Sequence, residues 1–303
     1  MEDNHPKCVL LFGATGNVGQ VLVRELLSKG VKVRMVVRDI NRTEEIFDDI
    51  LDKIDKIFLC GIKSTNRIML EDAFFPHEDI VPDCVISLLA FNDVVYEYNK
   101  FVNDQLINNL EIIKFTQLSG IKRFIFISSF KVTDPEHFIA KIVTKKRPYA
   151  LQFKNFVENA LRFSNLDYVI IRPAKITKET EHHKVNIAQN DDNIGFVTAT
   201  SLSSLICDTL DSNVKRTTFN CFTDSKFENQ VNLVDKYEKL DTTISELKPD
   251  DIMGSSKIYF HDSKYLLFHN HFIKIRQYLF AAGIILFCQY RYLRFKYKKL
   301  LRK

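Results

Sequence analysis

The stretch that decides the fold is KCVLLFGATGNVGQVLVRELLSKG, residues 7–30. Residues 9–12 are a continuous apolar run, the pattern of a strand that is buried on both faces of a sheet. Three glycines follow, and apolar residues then recur at helical spacing from Val18 to Leu26, before Gly30 ends the run. The stretch predicts a strand, a tight glycine turn and a helix, which together form the first unit of a parallel α/β sheet.

The same alternation continues along the chain. Apolar strand patterns recur in residues 31–39, 53–61, 83–90, 122–130 and 167–173, with helices near 94–119 and 149–163, a short strand and helix in 195–210, and a last strand in 216–223. Strands that alternate with helices at this spacing favour parallel crossovers. The predicted fold is an α/β, doubly wound parallel sheet, formed by a single domain over residues 1–224.

The composition changes after residue 224. Residues 225–271 are polar and poorly periodic, and we expect them to form a tether. Residues 272–303 contain nine of the 43 Lys and Arg residues and no acidic residue, which leaves 34 basic against 38 acidic residues in the rest of the chain. This asymmetry favours a membrane surface or an acidic partner at one end, and it argues against a general nucleic-acid binder.

Residues 277–290 are uncharged and would span about 21 Å as a helix, short of the ~30 Å bilayer core. The run is apolar around the whole helix, tyrosines flank it and a basic end follows it, as in short membrane anchors. We expect residues 272–303 to form a C-terminal membrane anchor, with the mitochondrial outer membrane favoured over other intracellular membranes. A surface-lying helix and a helix that docks on a protein partner are the alternatives.

The N-terminus, the cysteines and the histidines indicate the compartment of the domain and the chemistry it can carry. The N-terminus runs straight into the first strand without a leader pattern, so we expect the domain to face the cytosol. The six cysteines are scattered without a C-x-x-C pair and are predicted to be reduced, buried thiols. The clustered histidines lack carboxylate or cysteine partners at ligand spacing, so no metal site is predicted.

The glycine turn GATGNVG, residues 13–19, has the features that a pyrophosphate site needs. The chain must turn sharply out of a strand, approach the phosphates with its backbone and pack the next helix tightly on the sheet. The helix N-terminus then offers free N–H groups to the phosphates. The turn therefore predicts a dinucleotide site built from Gly13, Thr15, Gly16, Asn17, Val18 and Gly19, the alternative being a tight turn without a ligand.

The end of the second strand, VVRD, bears on the choice of dinucleotide. A carboxylate at this tip would bind the ribose 2′-hydroxyl of NAD, whereas a cation favours the 2′-phosphate of NADP. Arg38 stands near that position and Asp39 follows it immediately. We therefore predict NADP and leave NAD open.

The segments LFGATGNVGQVLVRELLSKGVKVRMVVRD, GIKRFIFISS and LDYVIIRP together resemble the atypical short-chain dehydrogenases/reductases, in particular the NmrA-like and SDR-a5-type NAD(P)-binding proteins. The resemblance covers residues 7–224. It implies a Rossmann domain with the dinucleotide over the Gly13–Gly19 turn. It also implies Arg38 at the adenosine phosphate, Ser128 near the nicotinamide and Lys154 on the ribose.

Catalytically active members of this family carry a Tyr and a Lys four residues apart on the helix after the fifth strand. Here Tyr149 and Lys154 are five apart, and in a regular helix they diverge by about 140°. In the NmrA-like pattern a Lys stands four residues before a Glu, and a Leu and the strand follow. Lys154, Glu158 and Leu161 before VIIRP fit this pattern, which puts Lys154 in the family's register and Ala150 at the tyrosine position. The catalytic Tyr is therefore absent, or Tyr149 reaches the site from an irregular helix start. The pair Tyr96 and Lys100 has the family's spacing but lies on the wrong helix.

Other departures from the family pattern lie around the same site. Ile62 follows Gly61 where relatives often carry Gly-Asp, and Leu88 to Ala90 replace a glycine beside the nicotinamide. Ser128, Tyr149 and Lys154 remain the catalytic candidates. Two functions stay open: a membrane-tethered nucleotide-sensing or assembly scaffold factor, and an NADPH-dependent oxidoreductase acting on a small or lipid-like carbonyl.

Overall fold

The computed structural model describes residues 6–59, 67–75, 81–90, 106–147, 149–189, 195–223 and 244–250. The strands in these ranges are β1 (Cys8–Phe12), β2 (Lys32–Val37), β3 (Lys56–Leu59), β4 (Cys84–Ser87), β5 (Arg123–Ile127), β6 (Asp167–Pro173), β7 (Lys175–Thr177), β8 (Asn186–Ala188), β9 (Phe196–Thr198) and β10 (Thr217–Phe222). The helices are α1 (Asn17–Ser28), α2 (Ile40–Phe47), α3 (Arg67–Phe74), α4 (Asn108–Ser119), α5 (Phe138–Lys146), α6 (Ala150–Arg162) and α7 (Ala199–Asp211), with 3-10 turns at Asp48–Lys53 and Ile244–Glu246.

The main sheet has the strand order β3-β2-β1-β4-β5-β6-β10-β8. Its strands are parallel except β8, which pairs antiparallel with β10, and β7 and β9 form a separate parallel pair. The chain winds outward from β1 in both directions, first to β2 and β3 and then to β4 and beyond. The doubly wound Rossmann prediction is therefore confirmed, and the strand order reverses between β1 and β4, where folds of this kind bind ligands.

The core lies on both faces of the sheet, and the alternation within β1 shows why. Val9 and Leu11 face a cluster that includes residues of α1 and α7, whereas Leu10 and Phe12 face a cluster that includes residues of α3, α4 and α6. All four side chains are at most 3% exposed. A strand covered by helices on both faces needs apolar residues at every position, which is the pattern that the sequence shows.

The predicted strands and the helices after the glycine turn and after β5 are confirmed. The helix expected near residues 94–119 is described from Asn108, and it ends at Gly120, whose φ of +83° is left-handed. Residues 94–105 lie outside the described ranges. Helices α2, α3 and α5 are short and were not predicted from the sequence.

Cys8, Cys84, Cys207 and Cys221 lie in the described ranges and are free and buried, as predicted. Burial raises the pKa of the Cys8 thiol to about 11 and that of Cys84 to about 12, so both thiols stay protonated near neutral pH.

Most of the chain after β10, including residues 277–290, lies outside the described ranges. Among the residues that the structure describes, no helix is both long and apolar enough to cross a bilayer. The exception to this gap is the segment 244–250, which falls within the expected tether. This segment packs against the Rossmann domain, with Leu247 buried and the Asp250 N–H donating to the Arg216 carbonyl at 2.7 Å.

Candidate dinucleotide-binding site

The glycine turn between β1 and α1 is built so that two of its positions accept only glycine. Gly13 has a φ of +86°, a left-handed conformation that L side chains rarely adopt. A Cβ on Gly19 would lie 2.3 Å from the Gly13 carbonyl oxygen and 2.5 Å from that of Ala14. Glycine at these positions therefore lets the chain reverse and lets α1 begin directly against the turn.

Gly16 differs from its neighbours, because its outer side is open. A Cβ added there would meet one atom within 4 Å, the Gly13 carbonyl oxygen at 3.3 Å. Gly16 is also the N-cap of α1, makes no side-chain capping bond, and is followed by a first turn without acidic residues. The first N–H groups of a helix have no partner inside the helix. An uncapped N-terminus beside an open glycine fits a pyrophosphate, which would take up both the space and the donors.

A hydrogen bond from α1 and the close approach of Leu88 define the surroundings of the turn. The Gln20 side-chain amide donates to the Thr15 carbonyl at 3.0 Å. On the sheet side, a Cβ on Gly13 would lie 3.1 Å from the carbonyl carbon of Leu88, the residue that follows β4. The turn therefore sits at the switch point between β1 and β4, with Leu88 against it.

Arg38 and Asp39 follow β2 at the same edge of the sheet. The Asp39 carboxylate accepts a hydrogen bond from the Arg42 N–H at 3.1 Å and so caps α2. Arg38 is exposed and forms no ion pair with the residues that the structure describes. The Asp39 carboxylate thus caps α2, whereas the Arg38 guanidinium is available to an anionic ligand.

Lys154 lies on α6 and reaches the end of β5. Its Nζ donates to the carbonyl of Ile127 at 2.7 Å and to that of Ser128 at 2.9 Å. Burial lowers the pKa of Lys154 to about 8, and the nearby Glu158 carboxylate opposes part of this shift. The sequence placed Lys154 in the family's register, and the structure places its amine at the carboxyl edge of the sheet.

Glu158, one helical turn beyond Lys154, is the centre of a buried polar network. Arg172 holds its carboxylate with two bonds of 3.0 and 2.7 Å, and Arg162 donates to it at 3.0 Å. Ser128 Oγ donates to the same carboxylate at 2.5 Å. Burial alone would raise the pKa of Glu158, but the two arginines and the Ser128 hydroxyl outweigh burial and lower it. Glu158 is therefore a buried carboxylate that fixes the Ser128 hydroxyl, while a contact of Ser128 with the nicotinamide stays a prediction.

Tyr149 is the N-cap of α6 and has a left-handed φ of +69°, so it lies outside the regular helix. Its ring stacks on Phe153, with ring centroids 6.1 Å apart. Phe153 and Lys154 are neighbours on the helix and point about 100° apart. Ala150, four residues before Lys154, has no hydroxyl to offer. The pair Tyr96 and Lys100 lies outside the described residues.

The described candidates come from the ends of three parallel strands, with Gly13 after β1, Arg38 after β2 and Ser128 after β5, and Lys154 reaches the third from α6. The carboxyl ends of parallel strands meet at one edge of a sheet, and the crevice there is where open α/β sheets bind nucleotides. Fold, turn and lysine together define a Rossmann domain of the dinucleotide-binding class.

Comparison with known families agrees with this class. The sequence profile of a family described as NAD(P)H-binding matches residues 13–213. The chain therefore belongs to the NAD(P)H-binding family, in agreement with its resemblance to the atypical short-chain dehydrogenases/reductases. No curated protein sequence matches the chain.

Solved structures share the fold at low sequence identity. A short-chain dehydrogenase/reductase (wide type) from Veillonella parvula in complex with NADP is 19% identical with a TM-score of 0.58, over 72% of this chain and 94% of that one. ChuY, an anaerobilin reductase from Escherichia coli O157:H7, is 19% identical with a TM-score of 0.56, over 71% and 97%. The oxidoreductase YlbE from Lactococcus lactis is 17% identical with a TM-score of 0.56, over 72% and 91%. At these identities the similarity establishes the fold alone.

Proposed function

We propose that this protein binds NADP(H) and responds to it as a nucleotide-sensing or assembly factor, without the tyrosine chemistry of its reductase relatives. The observation that carries this proposal is that the chain has the residues expected to bind a dinucleotide but lacks a tyrosine at the position expected for catalysis. The chain carries the glycine turn, and Lys154 reaches the end of β5, whereas the position four residues before Lys154 is Ala150 and the nearby Tyr149 packs against Phe153. Such a site would hold a dinucleotide but would lack the hydroxyl that protonates a carbonyl.

The roles within the site follow from chemistry. The backbone of residues 13–19 would take the pyrophosphate on the α1 N-terminus, with Thr15, Asn17 and Val18 lining the open side beside Gly16. Lys154 would hold a ribose hydroxyl, and Ser128 would lie near the nicotinamide. Arg38 would pair with the 2′-phosphate, which favours NADP over NAD.

The cofactor preference is testable on the full chain. A charge-assisted contact to a phosphate contributes about 1.5–3 kcal/mol, roughly tenfold or more in affinity. We expect NADPH to bind at least that much more tightly than NADH in a fluorescence titration, and Arg38→Ala to remove the difference. Lys32→Ala, at the opposite end of β2 and also exposed, is the matched control and should keep the preference. Equal affinities for the two nucleotides would contradict the assignment of Arg38.

A second function, an NADPH-dependent oxidoreductase acting on a small or lipid-like carbonyl, is favoured by one observation. Bound NADPH would supply a hydride, and Lys154, with its pKa lowered to about 8, holds at Nζ a proton that can be given up near neutral pH. A carbonyl screen that follows NADPH oxidation tests this function. Lys154→Arg should abolish turnover, because a guanidinium keeps its proton, whereas Tyr149→Phe should leave turnover nearly intact. A large loss in Tyr149→Phe with unchanged NADPH affinity would point to ordinary tyrosine chemistry.

The proposal includes a tether. Residues 277–290 supply an uncharged apolar run and the chain beyond them supplies a basic end. A segment of this kind would hold the domain on a membrane, with the mitochondrial outer membrane favoured and the domain facing the cytosol. A protein that docks the same segment is the alternative partner.

A further inference from the structure

The segment 244–250 is docked on the Rossmann domain mainly by bonds that lie away from the glycine turn. The Lys248 N–H donates to the Gln189 side chain at 3.0 Å, and the Gln189 amide donates back to the Lys248 carbonyl at 2.8 Å. The Asp250 N–H donates to the Arg216 carbonyl, and Leu247 is buried. Because the backbone supplies most of these bonds, docking depends little on which side chains the segment carries at the bonded positions.

The Asp250 side chain is the exception, because it reaches into the domain and is 9% exposed. Its Oδ2 accepts hydrogen bonds from Thr218 Oγ1 at 2.7 Å and Tyr168 Oη at 3.0 Å. Arg162 Nε lies 3.3 Å from the same oxygen, and Arg162 Nη2 donates to the Glu158 carboxylate at 3.0 Å. The guanidinium of Arg162 therefore bridges two carboxylates, one from the docked segment and one from α6.

Glu158 carries the connection on to the candidate site. Its other oxygen accepts the Ser128 hydroxyl, and its charge opposes the effect of burial on the Lys154 amine. Without Asp250, Arg162 would keep Glu158 as its carboxylate among the described residues, and it would share Glu158 with Arg172. A change in how the arginines hold Glu158 would move the groups it fixes, because a buried network is satisfied or broken as a unit.

We propose that Asp250 is a positioning residue for the dinucleotide site, acting through Arg162 and Glu158 on Ser128 and Lys154. Docking of residues 244–250 and binding of the dinucleotide then favour each other. The proposal rests on the proposed function, and it adds a route by which the segment before the C-terminal tail controls the site. The coupling is reciprocal, so the factor by which docking raises nucleotide affinity is also the factor by which nucleotide strengthens docking.

The test uses the full chain and two variants that disturb docking in different places. Asp250→Asn removes the charge at Arg162. Gln189→Ala removes two bonds to the Lys248 backbone and weaker bonds to Thr217 Oγ1 and the Thr218 carbonyl, but no bond to the side chains of Asp250, Arg162 or Glu158. We expect each to weaken NADPH binding about tenfold, within the usual range of coupling between sites. Asp250→Glu should restore part of the affinity. Asp211→Asn, which loses a surface contact to Lys29 at 3.5 Å, is the matched charge control and should bind like the wild type.

A second readout separates positioning from a merely structural role. Hydrogen exchange at the amides of Lys248 and Asp250 reports undocking, and NADPH should slow it about tenfold in the wild type and have little effect in Asp250→Asn. An unchanged NADPH Kd in both docking variants, or exchange that ignores NADPH in the wild type, would overturn the inference alone. A wild-type chain that binds neither NADPH nor NADH would overturn the proposed function, and the inference with it.

Discussion

Replacing Lys154 by methionine tests whether this side chain serves nucleotide binding or the stability of the fold. At pH 7 the amine is charged, although burial lowers its pKa from 10.5 to about 8. At 1.36 kcal/mol per unit, this costs the folded state about 3 kcal/mol, and less to the extent that the partly buried side chain keeps contact with water. Lys154→Met removes that cost together with two hydrogen bonds, which contribute about 1 kcal/mol each. We therefore expect the free energy of unfolding at pH 7 to change by only about 1–2 kcal/mol.

The pH dependence of this comparison has a definite sign. Between about pH 8 and 10.5 the Lys154 amine is neutral in the folded protein but still protonated in the unfolded chain. The unfolded state then binds more protons, so the stability of the wild type rises with pH relative to the variant, by up to about 3 kcal/mol. Urea denaturation of both proteins at pH 7, 8, 9 and 10 measures this difference directly, because groups common to both proteins cancel.

NADPH affinity completes the test. Since Lys154 is proposed to bind a ribose hydroxyl through a charged donor, Lys154→Met should weaken NADPH binding at pH 7 about tenfold or more. Three results together would refute the reasoning: the variant loses over about 4 kcal/mol of stability, its stability relative to the wild type shows no trend between pH 8 and 10, and it still binds NADPH normally. Lys154 would then serve the fold and not the ligand.

Three further predictions concern the turn, the buried network and the tail. Gly19→Ala should destabilise the domain by about 1–3 kcal/mol, because the new Cβ meets backbone. Gly16→Ala should change the urea midpoint little but should weaken NADPH binding. Equal effects of the two substitutions on stability would contradict the open side of Gly16. Glu158→Gln should cost about 3–5 kcal/mol in urea denaturation, as expected when a buried charge partner is removed, and a loss below about 1 kcal/mol would show that the network is not integral to the fold. Residues 272–303 should direct a fluorescent protein to the mitochondrial outer membrane, and the fusion should resist carbonate extraction. Replacing Ile284 and Ile285 by Asp should release it, because each charge at the bilayer centre costs about 2.5–3.5 kcal/mol to insert. Full solubility of the intact protein in carbonate would contradict a spanning anchor.

The parts of the fold that the sequence predicted are those in which a local pattern carries the information. The buried strands appear as continuous apolar runs, and the glycine turn appears as a triplet between a strand and a helix. Gly120 marks the end of α4 because only a left-handed residue closes that helix cheaply. The Asp39 cap was also within reach, since Asp followed by a helical segment is a common start signal.

The network around Glu158 could not be predicted in the same way. Ser128 and Glu158 are 30 residues apart, and Glu158 and Arg172 are 14 apart. Their pairing depends on how α6 packs against β5 and β6, which no local period records. The sequence used Glu158 only to set the register of Lys154, while in the structure it fixes the Ser128 hydroxyl.

The docked segment 244–250 was unpredictable for a related reason. It is short and polar, and its bonds run mostly through backbone atoms and through a single carboxylate, Asp250. Polar composition predicts a tether whenever a segment cannot bury apolar area of its own. Only the folded structure shows that Arg162 binds the Asp250 carboxylate and that Gln189 binds the Lys248 backbone.

The central claim is that a nicotinamide dinucleotide lies over the glycine turn and reaches Lys154. An NMR titration of the full chain with NADPH, with the backbone amides assigned, tests this claim most directly. We predict saturable shifts at the amides of residues 16–19, where the α1 N-terminus meets the pyrophosphate, and at the Lys154 amine signal, with the same Kd. Shifts confined to other parts of the chain, or none at NADPH concentrations that saturate a fluorescence signal, would contradict the account.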